Sequence, residues 1–286
     1  MTGFENLVND GVLHPFGFRD LYNQRILPQL SIEFPLALRW LHKMQEGTLK
    51  LYDAYGNYVK KVDLIHLTVR TGYLAVDNNI DYLTQGSFRQ ASAKMDDHIV
   101  DPDMAEKVIG VIQPSQDVFS NDLAKNRLMF MQPYVKYLEH FSGRKITCFD
   151  DLVEFFEPEV LEKLSEQYES IEDIDLLAAM WVEKSMNGGR VPHMFYNIIV
   201  EQLIRTMQSD RHWYERPNRP HAFTSEQLHE IRKASIARLL CDVGDSVTHI
   251  QTKAFQRIGP GNEMLSCEEI PEINLMAWKD NSCCRF

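Results

Sequence analysis

Apolar residues recur at helical spacing over most of the chain. Spacings of three and four residues predict helices over 33–46, 85–97, 149–168, 174–185, 193–208 and 225–241. Strand-like alternation is confined to short stretches, of which TLKLYDAYGNYVKKV at 48–62 is the clearest and predicts a hairpin. We therefore expect a mainly α protein with one hairpin.

The clearest signals for the ends of a helix lie around 225–241. Thr224 and Gln227 have the spacing of a capping box, and Gly244 comes just past the last apolar residue of the segment. A wide apolar side runs between these signals. The segment is therefore predicted to be a packing helix.

Length and composition favour one globular domain over 1–286. The chain has 286 residues, of which 44% are hydrophobic, and this is enough to bury a sizeable core. Breaks at 187–189, 216–220 and 259–262 are too short to be interdomain linkers.

Charge and hydropathy argue against nucleic acid as a partner and against a membrane-spanning segment. The formal net charge is −11 and no basic stripe is present, so the chain is not expected to bind nucleic acid. No apolar run approaches the roughly 18 residues of a spanning helix, so no transmembrane segment is expected. Residues 1–20 also lack the basic start and apolar centre of a signal peptide.

Arg39 and His42 form the first candidate site. They lie one helical turn apart on one flank of a mostly apolar helix, beside Leu38 and Leu41. A cation and a neutral imidazole on one face would suit a flat anionic cofactor such as haem. Spacing alone leaves the alternative open, since a lone histidine there is more often a core or surface residue.

The stretch YNQRILPQLSIEFPLALRWLH (22–42) resembles the proximal helix of the animal haem peroxidases, the family of myeloperoxidase and insect chorion peroxidases. The match runs without a gap through Tyr22, Asn23, Pro28, Phe34, Ala37, Arg39 and His42, whereas Leu41 stands where the family has Gly. Further resemblance lies at 78–101, 173–184, 188–215, 223–242 and 267–278. The last three segments follow the family's carboxyl-terminal sequence in order. The resemblance thus implies the carboxyl-terminal part of the family's helical fold.

The resemblance also implies a cofactor and three site residues. The cofactor is haem, with His42 as the proximal iron ligand and Arg39 as the partner of a haem propionate. Asn126 would orient the imidazole of His42, although the region 122–141 is about four residues shorter than in the family.

Five cysteines are present, and two of them match a disulfide of the family. The resemblance implies a bridge between Cys241 and Cys267, and hence an oxidised, extracellular or secreted protein. Cys148 is interpreted as a buried thiol. Cys283 and Cys284 are interpreted as free thiols or as an intermolecular pair.

The family splits hydrogen peroxide with a distal His and Arg, which lie with its calcium-binding loop in the amino-terminal half of the domain. Residues 1–20 do not resemble that half, so we nominate no catalytic residue and expect no calcium site. Two functions remain open. The chain is either a haem peroxidase, weak or inactive by itself and completed by a second chain that supplies the distal half, or a non-catalytic extracellular structural or binding relative, a pseudoperoxidase.

Overall fold

A computed structural model describes residues 4–93, 101–107, 117–187 and 189–279, and within them the chain is mainly helical, as predicted. The α-helices are α1 (Phe4–Asn9), α2 (Glu33–Ala37), α3 (Asn79–Arg89), α4 (Pro102–Glu106), α5 (Val118–Leu128), α6 (Tyr134–Ser142), α7 (Pro158–Gln167), α8 (Leu176–Val182), α9 (His193–Ser209), α10 (Ser225–Ile231) and α11 (Ile236–Val243).

Short 3₁₀-helices and two small sheets complete the described structure. The 3₁₀-helices are Leu38–Met44, Leu64–His66, Thr71–Tyr73, Phe149–Leu152, Ile171–Asp173 and Leu275–Trp278. The strands are β1 (Thr48–Tyr52), β2 (Tyr58–Asp63), β3 (His249–Gln251) and β4 (Met264–Ser266). β1 pairs antiparallel with β2, and β3 pairs antiparallel with β4.

The chain divides into two compact units. The first comprises Met1–His14, Tyr22–Gly47 and Ser92–Arg211, and the second comprises Pro15–Leu21, Thr48–Ala91 and His212–Phe286. Each unit has its own cluster of buried apolar side chains. The single domain expected over 1–286 stays a prediction.

The core of the first unit is built by α2, α6, α8 and α9. Leu36, Tyr134, Leu177 and Met194 are each at most 1% exposed, and they belong to one continuous cluster. α8 is apolar on nearly every side, which fits its position between α5 and α6. This core holds the helices that carry the candidate site.

The second unit combines the predicted hairpin with α3 and the carboxyl-terminal helices. The hairpin β1–β2 is confirmed, and α3 packs on β1. Cys241 of α11 and Cys267 form a disulfide, which confirms the predicted pairing. The bridge lies beside a small core that includes Phe88 and Ile250.

The remaining cysteines differ in how far the structure tests them. Cys148 is a free thiol, but it is exposed, so the interpretation as a buried thiol is wrong. It lies at the start of a 3₁₀-helix next to Phe149, at the surface of the unit. Cys283 and Cys284 lie outside the described residues.

Three predicted helices are broken, and a fourth is shorter than expected at its carboxyl end. The helix expected over 149–168 is split into the 3₁₀-helix Phe149–Leu152 and α7, because Pro158 has no backbone N–H to donate and therefore begins a new helix. The helix expected over 85–97 is wrong beyond Arg89, where α3 ends, and 94–97 lie outside the described residues.

The helix expected over 33–46 is α-helical only to Ala37 and continues as the 3₁₀-helix Leu38–Met44. The helix expected over 225–241 is split into α10 and α11, because the Ser235 hydroxyl accepts from the amide of Arg238 and starts a new helix. The capping box of Thr224 and Gln227 is confirmed. No helix in the described part of the chain is both long and apolar enough to span a membrane.

Candidate functional site

The 3₁₀-helix Leu38–Met44 positions the first two candidate residues. With three residues per turn, positions i and i+3 lie one above the other. Two pairs at this spacing therefore leave the helix in different directions. Trp40 and Lys43 reach α8, whereas Arg39 and His42 both reach α5.

Trp40 and Lys43 fix the helix on the core. The Trp40 indole is 2% exposed, donates to the Met180 carbonyl over 2.9 Å, and lies 4.9 Å from the ring of Phe195. The Lys43 ammonium donates to the Trp181 carbonyl over 2.5 Å. These contacts hold the backbone from which Arg39 and His42 project.

Asp122 of α5 receives both Arg39 and His42. Its Oδ1 accepts from the Arg39 guanidinium over 2.5 Å, and its Oδ2 lies 2.5 Å from Nδ1 of His42. The Asp122 side chain is only 1% exposed. A single carboxylate thus bridges the two residues that the sequence predicted to act together.

This contact fixes the tautomer of the imidazole. An ionised carboxylate only accepts hydrogen bonds, so Nδ1 of His42 carries the hydrogen and the lone pair of the neutral ring lies on Nε2. The His42 side chain is 40% exposed, which leaves part of the ring accessible. The ring can therefore serve as a ligand through Nε2.

Cations around Asp122 keep it ionised. Burial by itself would raise the pKa of Asp122, but the hydrogen bonds and charges of His42 and Arg39 outweigh burial and lower that pKa below its ordinary value. Lys125, one turn further along α5, lies 3.8 Å from the same carboxylate. The site therefore combines one buried anion with three basic side chains.

Asn126, the predicted partner of His42, makes other contacts in the structure. Its amide nitrogen donates to Asp175 Oδ1 over 3.2 Å, and its amide oxygen accepts from the Leu177 amide over 3.3 Å. Leu177 lies in the first turn of α8, whose amides lack partners within the helix. Asn126 thus joins α5 to α8, and Asp122 takes the contact with His42.

Asp175 closes this junction between α5 and α8. Arg127 pairs with Asp175 over 2.7 Å, and the Tyr168 hydroxyl donates to the same carboxylate over 3.1 Å. Burial raises the pKa of Tyr168 to about 12, with the charge of Asp175 next in importance. The network holds α5 in place, and so holds Asp122 beneath His42.

Sequence reasoning missed Asp122, although the sequence carries a signal for it. Asp122 and Asn126 are four residues apart and face the protein interior together on α5. Asp117 caps this helix by accepting from the Phe119 amide over 2.9 Å. A polar i, i+4 pair behind an Asp cap could have indicated a helix with a buried polar face.

Three comparisons with known proteins bear on this site. The family model described as animal haem peroxidase matches residues 3–255. A peroxidase of Drosophila melanogaster is 30% identical over 97% of this chain, and the chorion peroxidase of the same organism is 30% identical over 92%. The chain spans 41% and 33% of the lengths of these two relatives.

A solved structure has the same fold. Peroxidase A of Dictyostelium discoideum superposes with a TM-score of 0.70 at 22% identity, over 85% of this chain and 46% of its own. The described helices are therefore arranged as in a peroxidase.

Proposed function

The chain belongs to the animal haem peroxidase family, and from that membership we propose that it binds haem through His42 and serves the peroxide-dependent oxidation of a donor. The observation that carries the proposal is the contact between Nδ1 of His42 and the buried Asp122 carboxylate. Such a contact orients an imidazole that ligates a metal and increases its basicity.

The donor set fits a haem iron. The porphyrin supplies four nitrogen ligands, so this face of the iron needs one protein ligand, and Nε2 of His42 is suited to that role. Arg39 uses one of its five N–H groups on Asp122. Others can bind a propionate, and Lys125, 43% exposed, adds a second cation beside the carboxylate.

The protein's own groups then have distinct tasks. When bound, haem supplies the redox chemistry of peroxide cleavage and donor oxidation. His42 would hold the iron, Asp122 would fix the ring and its tautomer, and Arg39 and Lys125 would attract the acidic edge of the cofactor. Asn126 would act on the site only indirectly, because its contacts hold α5 against α8 and so keep Asp122 in place.

The Cys241–Cys267 bridge supports a location outside the reducing compartments of the cell. We place the chain among extracellular or secreted proteins on this ground. Peptide mapping without reduction, on protein recovered from its native source, should find Cys241 and Cys267 linked. A free, alkylated Cys241 would contradict this location.

A haemin titration tests the cofactor assignment. The 286-residue chain should develop a Soret band that His42→Ala removes or shifts, whereas His66→Ala, a variant at another exposed histidine, should leave the spectrum unchanged. Equal spectra and equal affinities for the wild type and His42→Ala would show that any binding is nonspecific. That result would favour the alternative function, a non-catalytic structural or binding role.

A further inference from the structure

Two histidines outside the candidate site lie in direct contact on the surface of the second unit. Nδ1 of His212 is 3.1 Å from Nε2 of His221, and their ring centroids are 4.5 Å apart. Both residues are exposed, so water could satisfy each ring separately. Their contact therefore reflects the loop that carries them more than a need for hydrogen-bond partners.

Local turns bring the two histidines together. The Arg216 amide donates to the Trp213 carbonyl over 3.0 Å, and the Ala222 amide donates to the Arg219 carbonyl over 3.0 Å. Between these turns Asn218 adopts a left-handed conformation with φ of 57°, which reverses the chain. Pro217 and Pro220 restrict the backbone on both sides of Asn218.

Buried charges anchor the middle of this loop. The Glu215 side chain is 1% exposed and accepts from the Trp213 indole over 3.0 Å, from Arg19 and from Arg232. Arg216 is 4% exposed and grips Asp20 with two hydrogen bonds of 2.7 and 3.0 Å. The middle of the loop is thus held in place before any ligand arrives.

We propose that His212 and His221 together form a binding site for a late first-row divalent ion, of the class of Cu²⁺, Ni²⁺ and Zn²⁺. Neutral imidazole is a preferred ligand of these ions. The two rings supply two ligands, and water molecules complete the coordination shell.

The distance between the nitrogens suits a chelate. Two nitrogens bound to one ion at about 2.0–2.1 Å lie roughly 2.9 Å apart at a right angle and roughly 3.4 Å apart at the tetrahedral angle. The observed 3.1 Å lies between these values. To chelate an ion, both rings must turn so that their lone pairs converge on it, and the ring that carries the hydrogen of the contact must take its other tautomer. The turns of the loop keep the two rings close together, which lowers the conformational entropy lost on binding.

The two cations between His212 and His221 are partly offset by a carboxylate. Arg216 and Arg219 are the cations of the loop, and both have Asp20 as a partner, Arg216 in direct hydrogen bonds and Arg219 at 3.9 Å. Their charge is therefore partly neutralised next to the histidines. A metal ion bound here would link residues 212 and 221, the two ends of the loop.

Calorimetric titration with Ni²⁺ and with Zn²⁺ tests the site, on chains whose free thiols have been alkylated. His212→Ala and His221→Ala should each weaken one binding event by about tenfold or more, since each removes half of the chelate. His249→Ala, at an exposed histidine of the same unit, should leave every event unchanged. Far-ultraviolet circular dichroism should show the same fold in all variants.

Two outcomes would overturn the proposal. Equal affinities and stoichiometries in the wild type and in both loop variants would show that the pair is a hydrogen bond and nothing more. A loss of affinity in only one of the two variants would show that a single histidine binds the ion together with other groups. Acidification should weaken the assigned event, because both imidazoles must be neutral to act as ligands.

Discussion

Asp122 brings a negative charge into a position that is almost closed to water, where Arg39 and Lys125 supply cations and His42 supplies an N–H donor. A buried carboxylate without partners would destabilise the fold. Removal of one partner from a buried pair is destabilising for the same reason, because the remaining charge is left uncompensated. The same arrangement makes Asp122 more than a structural group. Whatever binds to His42 meets a ring whose second nitrogen is already engaged.

Substitution of Asp122 should therefore change the cofactor affinity in a graded manner. Asp122→Ala removes the acceptor for Nδ1 and should weaken haemin binding by about 10- to 100-fold. Asp122→Asn keeps an acceptor oxygen and should weaken haemin binding less than Asp122→Ala does. Absorbance titration measures both, with the exposed Asp245→Asn as the control. Affinity that is unchanged in Asp122→Ala but lost in His42→Ala would contradict the orienting role and leave the ligand role intact.

Glu183 is another buried carboxylate of the first unit, and it accepts hydrogen bonds at the start of α9. Its two oxygens accept from the Met194 amide at 3.3 and 3.2 Å. Burial raises the pKa of Glu183 to about 8, although the Met194 amide and Tyr134 lower it. Within the described ranges no cation contributes to lowering this pKa, in contrast to the surroundings of Asp122.

The raised pKa predicts how stability depends on pH. Between about pH 4.5 and pH 8 the folded chain retains a proton on Glu183 that the unfolded chain releases, so the free energy of unfolding should fall as pH rises. Glu183→Gln keeps an acceptor for Met194 and should flatten this slope, with a gain on the order of a few kcal/mol above pH 8.

Urea unfolding from pH 5 to pH 9 measures the slope, and the exposed Glu172→Gln should reproduce the wild-type curve. Parallel curves for Glu183→Gln and the wild type would mean that Glu183 is already ionised in the folded chain.

At the scale of elements, the packing of α3 on β1 depends on a missing side chain. A Cβ built on Gly86 would lie 2.0 Å from the Lys50 carbonyl oxygen of β1, which no real contact allows. Gly86→Ala should force α3 away from the hairpin and lower the free energy of unfolding by about 1–3 kcal/mol. Denaturant unfolding checks this value. Gly72→Ala, with nothing near the added Cβ, is the control, and equal losses in both variants would contradict the packing argument.

Patterning predicted several of the elements whose buried faces are apolar, but it missed α6, although the buried residues of that helix, Tyr134, Val135 and Leu138, are apolar too. α9 was expected over 193–208 and extends over His193–Ser209, and the hairpin at 48–62 forms as predicted. α5 was missed because two of its buried residues, Asp122 and Asn126, are polar, so binary patterning assigns its interior face to solvent. The element that completes the site is thus among those that patterning missed.

Helix type also lies beyond patterning. Residues 38–44 form a 3₁₀-helix because side chains on two different sides, Trp40 with Lys43 and Arg39 with His42, must each align in pairs three residues apart. A pattern with apolar positions three and four apart is compatible with either kind of helix. Tertiary contacts to α5 and α8 decide between them.

At the scale of the whole molecule, the site and the disulfide belong to different units. Arg39, His42 and Asp122 lie in the first unit, and the Cys241–Cys267 bridge lies in the second. Closure of the loop by two cysteines that are 26 positions apart contributes about 3–4 kcal/mol on the chain-entropy model. That stabilisation acts on the small core of the second unit, which has few buried apolar residues of its own.

The 286-residue chain assayed alone should turn over hydrogen peroxide only slowly. Efficient cleavage needs a positioned acid and base on the face of the haem opposite His42, and such groups typically contribute about 10²–10⁴ in rate. From the sequence we nominate no acid and base of this kind among the chain's residues, and the prediction rests on that expectation. Haem bound through His42 should therefore oxidise a phenolic dye at a rate within about tenfold of free haemin.

The comparison must separate binding from catalysis, so the same assay is run with haemin alone and with the His42→Ala chain. A rate thousands of times above that of haemin, obtained without a partner and lost in His42→Ala, would contradict the expectation. Such a rate would require an acid and base among the chain's own side chains, because a metal held from one side cannot by itself move the proton between the two peroxide oxygens.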